Sequence, residues 1–216
     1  MKTDLQIQQD VMAELKWEPK VNAAHIGVEV KNGVVTLSGH VDSFAEKWNA
    51  EQAAKKVTGV KVIAIELDVV LPGSSTKSDT EIAKAAMEAL KWNVYKLADR
   101  IHIKVEDGFI TLTGEVPWHF ERVSAENLLR YLTGVRGVYN HIMVKTAISI
   151  DTVKIDIERA LKRRAHDDAQ DITVSIRGDE VTLGGKIHDW KEKSLAIDAV
   201  WAVPGVKKVI DNTYFA

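Results

Sequence analysis

The sequence predicts an α+β protein built of three tandem α-β-β-α-β units, each a small three-stranded sheet covered by two helices. Two observations carry this. Asn32-Gly33-Val34-Val35-Thr36-Leu37-Ser38-Gly39 returns 75 residues later as Asp107-Gly108-Phe109-Ile110-Thr111-Leu112-Thr113-Gly114, and 71 residues after that as Gly178-Asp179-Glu180-Val181-Thr182-Leu183-Gly184-Gly185. A period of this size marks copies of one supersecondary unit. Each copy is also preceded by a helical pattern and followed by a helix and a β-type run. The units are expected at residues 1–72, 77–147 and 149–216.

In the first unit, Leu5, Ile7, Val11, Met12 and Leu15 recur at helical spacing, predicting a helix over 4–17 that stops before Pro19. Two β-type runs, 25–30 and 34–38, flank Asn32-Gly33, a strong short hairpin signal. Gly39 is expected to end the second strand. Ser43-Phe44-Ala45-Glu46 has the form of a capping box opening a second helix to about Val57. Thr58-Gly59 stops that helix, and a third strand runs from Val60 to Val70, in a mixed or antiparallel sheet.

The second unit repeats Leu15-Lys16-Trp17 as Leu90-Lys91-Trp92 and Thr58-Gly59-Val60 as Thr133-Gly134-Val135. In the third, Leu161 stays and Arg163 replaces the tryptophan. Columns apolar in every copy define the expected core: Leu15/Leu90/Leu161, Val28/Ile103/Val174, Leu37/Leu112/Leu183 and Val57/Leu132/Val203, with Ala50/Ala125/Ala196 small where helix meets sheet. Gly33, Gly39, Gly59, Gly108, Gly114, Gly134, Gly185 and Gly205 read as structural, at turns and close backbone approaches. The Pro/Gly/Ser linker 71–78 contrasts with the partly apolar 145–150. Units two and three are therefore expected to pack as a pair, with unit one freer.

Composition narrows the function classes. The formal net charge is −2, spread evenly: 8 basic and 10 acidic residues in 1–72, 10 and 9 in 73–148, 11 and 12 in 149–216. No unit is basic enough to favour nucleic acid. The absence of cysteine excludes disulfides and thiolate chemistry. The first ten residues are polar, and no transmembrane segment is visible. A cytoplasmic protein is expected for the chain as it stands, and a periplasmic one if a leader has been removed.

The repeated stretch and its glycines resemble the BON domain, a small bacterial module marked by a glycine after the central strand of an α-β-β-α-β fold. Gly39, Gly114 and Gly185 fill that place, preceded by Thr36-Leu37, Thr111-Leu112 and Thr182-Leu183. The later Gly59-Val60, Gly134-Val135 and Gly205-Val206, with Asn140 and Asn212, also fit. The resemblance implies association with phospholipid or membrane surfaces and a part in envelope or osmotic stress, without catalysis. Because BON domains also occur in bacterial potassium-binding proteins, it carries a weaker implication of cation response.

Candidate contact residues are those that break the repeat. Phe44 and Trp48, Trp118 and Phe120, and Trp190 gather at the starts of the second helices but share no column, and Lys47, Arg122, Lys191 and Lys193 flank them. Rings beside cations suit an interfacial lipid contact. They equally suit packing between units or copies, so a self-assembling or client-binding scaffold is the alternative, and exposed sheet edges make a homo-oligomer an expectation. Trp17 and Trp92 are expected to be packing residues. Glu46, Glu121 and Glu192 recur as helix caps. The seven histidines show no ligand spacing, His166-Asp167-Asp168 is a weak metal clip, and no cofactor, metal or enzyme motif is expected.

Overall fold

The computed structural model describes residues 2–93, 99–145, 172–203 and 205–215. The first unit runs α1 (Asp4–Trp17), β1 (Ile26–Lys31), β2 (Val34–Val41), α2 (Phe44–Lys55) and β3 (Val62–Val69). The second runs α3 (Asp79–Asn93), β4 (Ile101–Glu106), β5 (Phe109–Val116), α4 (His119–Arg130) and β6 (Gly137–Val144). The third shows β7 (Ile172–Arg177), β8 (Glu180–Ile187), α5 (Trp190–Trp201) and β9 (Lys208–Phe215). The helix expected to open it, with Leu161, Arg163 and His166-Asp167-Asp168, lies outside the described residues.

Each sheet has the hairpin's second strand at its centre, in the orders β1-β2-β3, β4-β5-β6 and β7-β8-β9. The sheets described in register are mixed. β1 pairs antiparallel with β2 and β7 with β8, whereas β3 and β9 run parallel to the central strand. A tight turn makes the first pairing antiparallel, and the helical crossover makes the second parallel.

The hairpin turns are built by backbone sign. Asn32 (φ 54°) and Gly33 (φ 75°) are both left-handed, as are Asp107 (φ 52°) and Gly108 (φ 80°), the type I′ pattern. In the third copy the glycine comes first, at φ 59°, and Asp179 is not left-handed, as a type II′ turn requires. Reversing the residues changes the turn type while keeping the two-residue link.

Gly39 does not end its strand. β2 continues to Val41, with Gly39 paired opposite Ile26 at φ +116°, where a Cβ would stand 2.1 Å from the His25 carbonyl oxygen. The glycine admits the hairpin partner's backbone instead of breaking the strand.

Leu15, Leu90, Leu37, Leu112, Leu183, Ala50, Ala125 and Ala196 are buried, as the repeat columns predict. Val28, Ile103 and Val174 are only half-buried because they lie on the hairpin's outer strand. The chain gathers into two compact units, residues 1–112 with 125–141 and residues 113–124 with 142–216. The first contains repeat one together with much of repeat two, so repeat one is not free of its neighbour despite the Pro/Gly/Ser linker.

Candidate functional site

The starts of the second helices are fixed by carboxylates. Ser43 Oγ accepts from Glu46 N (3.1 Å), and Asp189 Oδ1 accepts from Glu192 N (2.7 Å) in the same role. The recurring glutamates complete the caps by accepting backbone N–H groups: Glu46 from Asp42 (2.8 Å), Glu121 from Trp118 (3.1 Å) and Glu192 from His188 (2.7 Å). Glu46 also accepts from Asn22 N (2.7 Å), so the loop after α1 is tied to the same carboxylate.

The aromatics beside these caps meet three different fates. In the first repeat Phe44 and Trp48 are half-buried, and the Arg130 guanidinium lies 4.0 Å over the Trp48 ring. Arg130 is 5% exposed and donates to Asn127 Oδ1 (2.8 Å) and Glu126 Oε1 (3.0 Å). Lys20 approaches Tyr131 from the same repeat (5.5 Å). Lys47 Nζ donates to the Leu67 carbonyl (2.7 Å), joining α2 to β3. Lys47 and Trp48 are thus engaged inside the first compact unit.

In the third repeat Trp190 packs against Phe215 at 5.2 Å, and Lys193 bridges to Asp211 (2.5 Å) while standing 5.4 Å over the Trp190 ring. Burial raises the Asp211 carboxyl, but the Lys193 and Thr213 hydrogen bonds outweigh it and hold it low. Lys191 is exposed.

The second repeat presents its rings outward. Phe120 is 63% exposed, Trp118 is exposed and Arg122 is half-buried. Trp118 and Phe120, with His119, Val123, Asp198 and Trp201, line a groove of about 440 Å³. His119 stacks on Trp201 at 4.0 Å with the rings 6° from parallel. Burial, and then the Arg122 cation, lower its imidazole from the ordinary 6.5 to about 4.

Trp17 and Trp92 overturn their expected packing role: they are 85% and 87% exposed. Each follows a buried leucine, Leu15 or Leu90, by two residues, about 200° around a helix at 3.6 residues per turn. Each is preceded by an exposed lysine, Lys16 or Lys91, and Met12 and Met87 are exposed in matching positions five residues earlier. The duplicated Lys-Trp after a core leucine was the available signal, since a residue that far around from the core cannot share it.

Among the described residues no three histidine, aspartate or glutamate side chains are gathered to hold a metal ion, and no helix is long and apolar enough to cross a membrane.

A chain of repeated modules, each with a positive-φ glycine within its central strand, is a tandem small-domain protein. It belongs to the BON domain family, whose model matches residues 3–70, 78–146 and 150–214. Osmotically-inducible protein Y of Escherichia coli is 30% identical over 146 residues, covering 66% of this chain and 73% of that protein. The 21 kDa hemolysin of Actinobacillus pleuropneumoniae is 28% identical over 148 residues, 63% of this chain and 74% of that one. CdsD, a structural protein of the type III secretion system of Chlamydia trachomatis, aligns over 96% of this chain and 91% of that chain at 14% identity and TM-score 0.27, too loosely to bear on function.

Proposed function

We propose that this protein is a non-catalytic, peripheral membrane-associating protein of the osmotic or envelope stress response, acting through its BON domains on phospholipid surfaces. The observation that carries the reading is the pair Trp17 and Trp92, the same residue left almost wholly in water at the same place in two repeats. Exposing one large ring is unremarkable, but exposing both at one repeat position is not explained by folding. Indole beside lysine suits the bilayer interface, with the ring at headgroup depth and the cation toward anionic lipid. Trp118 and Phe120 supply a second exposed aromatic surface in the second repeat. The similarity to an osmotically inducible protein supports the stress setting.

Withdrawing roughly 100 Å² of ring from water at about 25 cal/mol per Å² stabilises the bound state by about 2.5 kcal/mol. Trp17→Ala with Trp92→Ala is therefore expected to reduce co-sedimentation with anionic vesicles by at least tenfold, with the thermal midpoint unchanged. Wild-type chain that sediments with neither anionic nor neutral vesicles rules the reading out. In this reading the cytoplasmic face of the bilayer is the site of action, with the periplasm as the alternative, and fractionation of cells carrying the tagged gene decides between them.

A further inference from the structure

The first two repeats treat the outer edges of their sheets differently. β1 and β4 are the edge strands that follow each opening helix. In the first repeat Gln8, on α1, donates its Nε2 to the Val28 carbonyl of β1 (2.7 Å). That carbonyl therefore points away from β2, and a side chain from the helix closes the edge over it. At the repeat offset of 75 residues Gln8 becomes Ala83 and Val28 becomes Ile103. Alanine carries no donor and is too short to reach the strand. A groove of about 500 Å³ stands there instead, walled by Ala83, Met87 and Leu90 of α3 and by Ile101 and Ile103 of β4. Backbone groups of a strand alternate in direction, so Ile101, Ile103 and Val105 turn their N–H and C=O toward the open edge.

We propose that this groove takes an extended acidic peptide segment of a partner protein, which adds to β4 as a fourth strand alongside α3. Strand addition draws affinity from main-chain hydrogen bonds and specificity from the alternate side chains that enter the groove. The occupant must be a bare strand. α3 packs on β4, and packed helices keep their axes about 8–10 Å apart, whereas paired strands lie about 4.8 Å apart. A second copy paired antiparallel about a two-fold axis would bring its own α3 onto the same face at strand spacing, too close for two helices. Charge narrows the peptide further. Lys84 and His102 also line the groove, and no carboxylate does so among the described residues. The fitting segment therefore carries a carboxylate toward Lys84 and apolar side chains at alternate positions toward Met87 and Leu90. This site stands on the sheet edge and is independent of the exposed Trp17 and Trp92.

The test is NMR titration of the full chain with the capped peptide Glu-Val-Thr-Val-Thr-Val, beside the same peptide opening on lysine and the same peptide N-methylated at alternate residues. Saturable amide shifts centred on Ile101, Ile103 and Val105 are expected with the acidic peptide. The lysine peptide should bind about threefold more weakly and the N-methylated one not at all. Ala83→Gln, which restores the cap of the first repeat, should weaken binding by about tenfold or more with the thermal midpoint unchanged, since it engages the Ile103 carbonyl and fills the groove. Lys84→Ala should erase the preference for the acidic peptide. Wild-type chain whose β4 amides do not shift overturns the proposal, as do shifts that survive Ala83→Gln. Sedimentation that finds the wild-type chain dimeric and Ala83→Gln monomeric would assign the edge to a second copy and overturn it as well.

Discussion

At the scale of single residues, His119 shows how placement sets chemistry. Its ring lies flat on Trp201, where burial and the neighbouring Arg122 disfavour the proton and lower it from 6.5 to about 4. The unfolded chain takes up that proton near pH 6.5 and the folded chain does not. The resulting stability is full above pH 6.5 and is lost progressively as the pH falls toward 4. The urea midpoint of the wild-type chain is therefore expected to fall between pH 7 and pH 5. His119→Phe, which keeps a flat ring against Trp201 and removes the titrating group, should flatten that fall. An equal fall in the variant would show that other groups cause it. The sequence held no hint of this pairing, because His119 and Trp201 are far apart in the chain.

At the scale of elements, local instructions in the sequence were legible and instructions between elements were not. Asn32-Gly33 specifies its hairpin through two left-handed backbones, which any reader of turn chemistry recovers. The strand's continuation through Gly39 was hidden, since a glycine reads as a break unless the approaching His25 carbonyl is known. Hidden too was the device that attaches the opening helices of the first two repeats to their hairpins. Asp4 accepts from Asn32 N (2.7 Å) and Gly33 N (3.1 Å), and Asp79 accepts from Asp107 N and Gly108 N, both at 2.9 Å. One carboxylate in the first helical turn thus satisfies two turn N–H groups 28 and 29 residues away, at equivalent positions of two repeats. Asp79→Ala leaves both donors to water and is expected to cost about 1–2 kcal/mol, visible as a lower urea midpoint. Asp79→Asn, which keeps one acceptor oxygen, should fall between the two. An alanine variant as stable as wild type would show that the contact contributes nothing.

At the scale of the molecule, the sequence predicts a freer first repeat beside a paired second and third, and Trp48 shows how the first two are joined. Its column holds Val123 and Ser194 in the other copies, so a tryptophan there serves something outside the shared core. That inference was available from the sequence. What the ring meets was not, because Arg130 lies in another repeat. Lys47 is the cation next to Trp48 in sequence, whereas the cation that covers the ring is the buried Arg130. Arrays of small domains gain stability from each unit and from each interface between neighbours. A desolvated cation–π contact contributes about 2 kcal/mol, roughly a thirtyfold change in an opening equilibrium. If that energy belongs to the interface, Trp48→Ala should weaken both repeats it joins. Amide exchange at Leu37, in the core of repeat one, and at Leu112, in the core of repeat two, should then accelerate together by about that factor under conditions where exchange follows opening. Acceleration at Leu37 alone would make Trp48 a packing residue of its own repeat, and the two domains would then open independently.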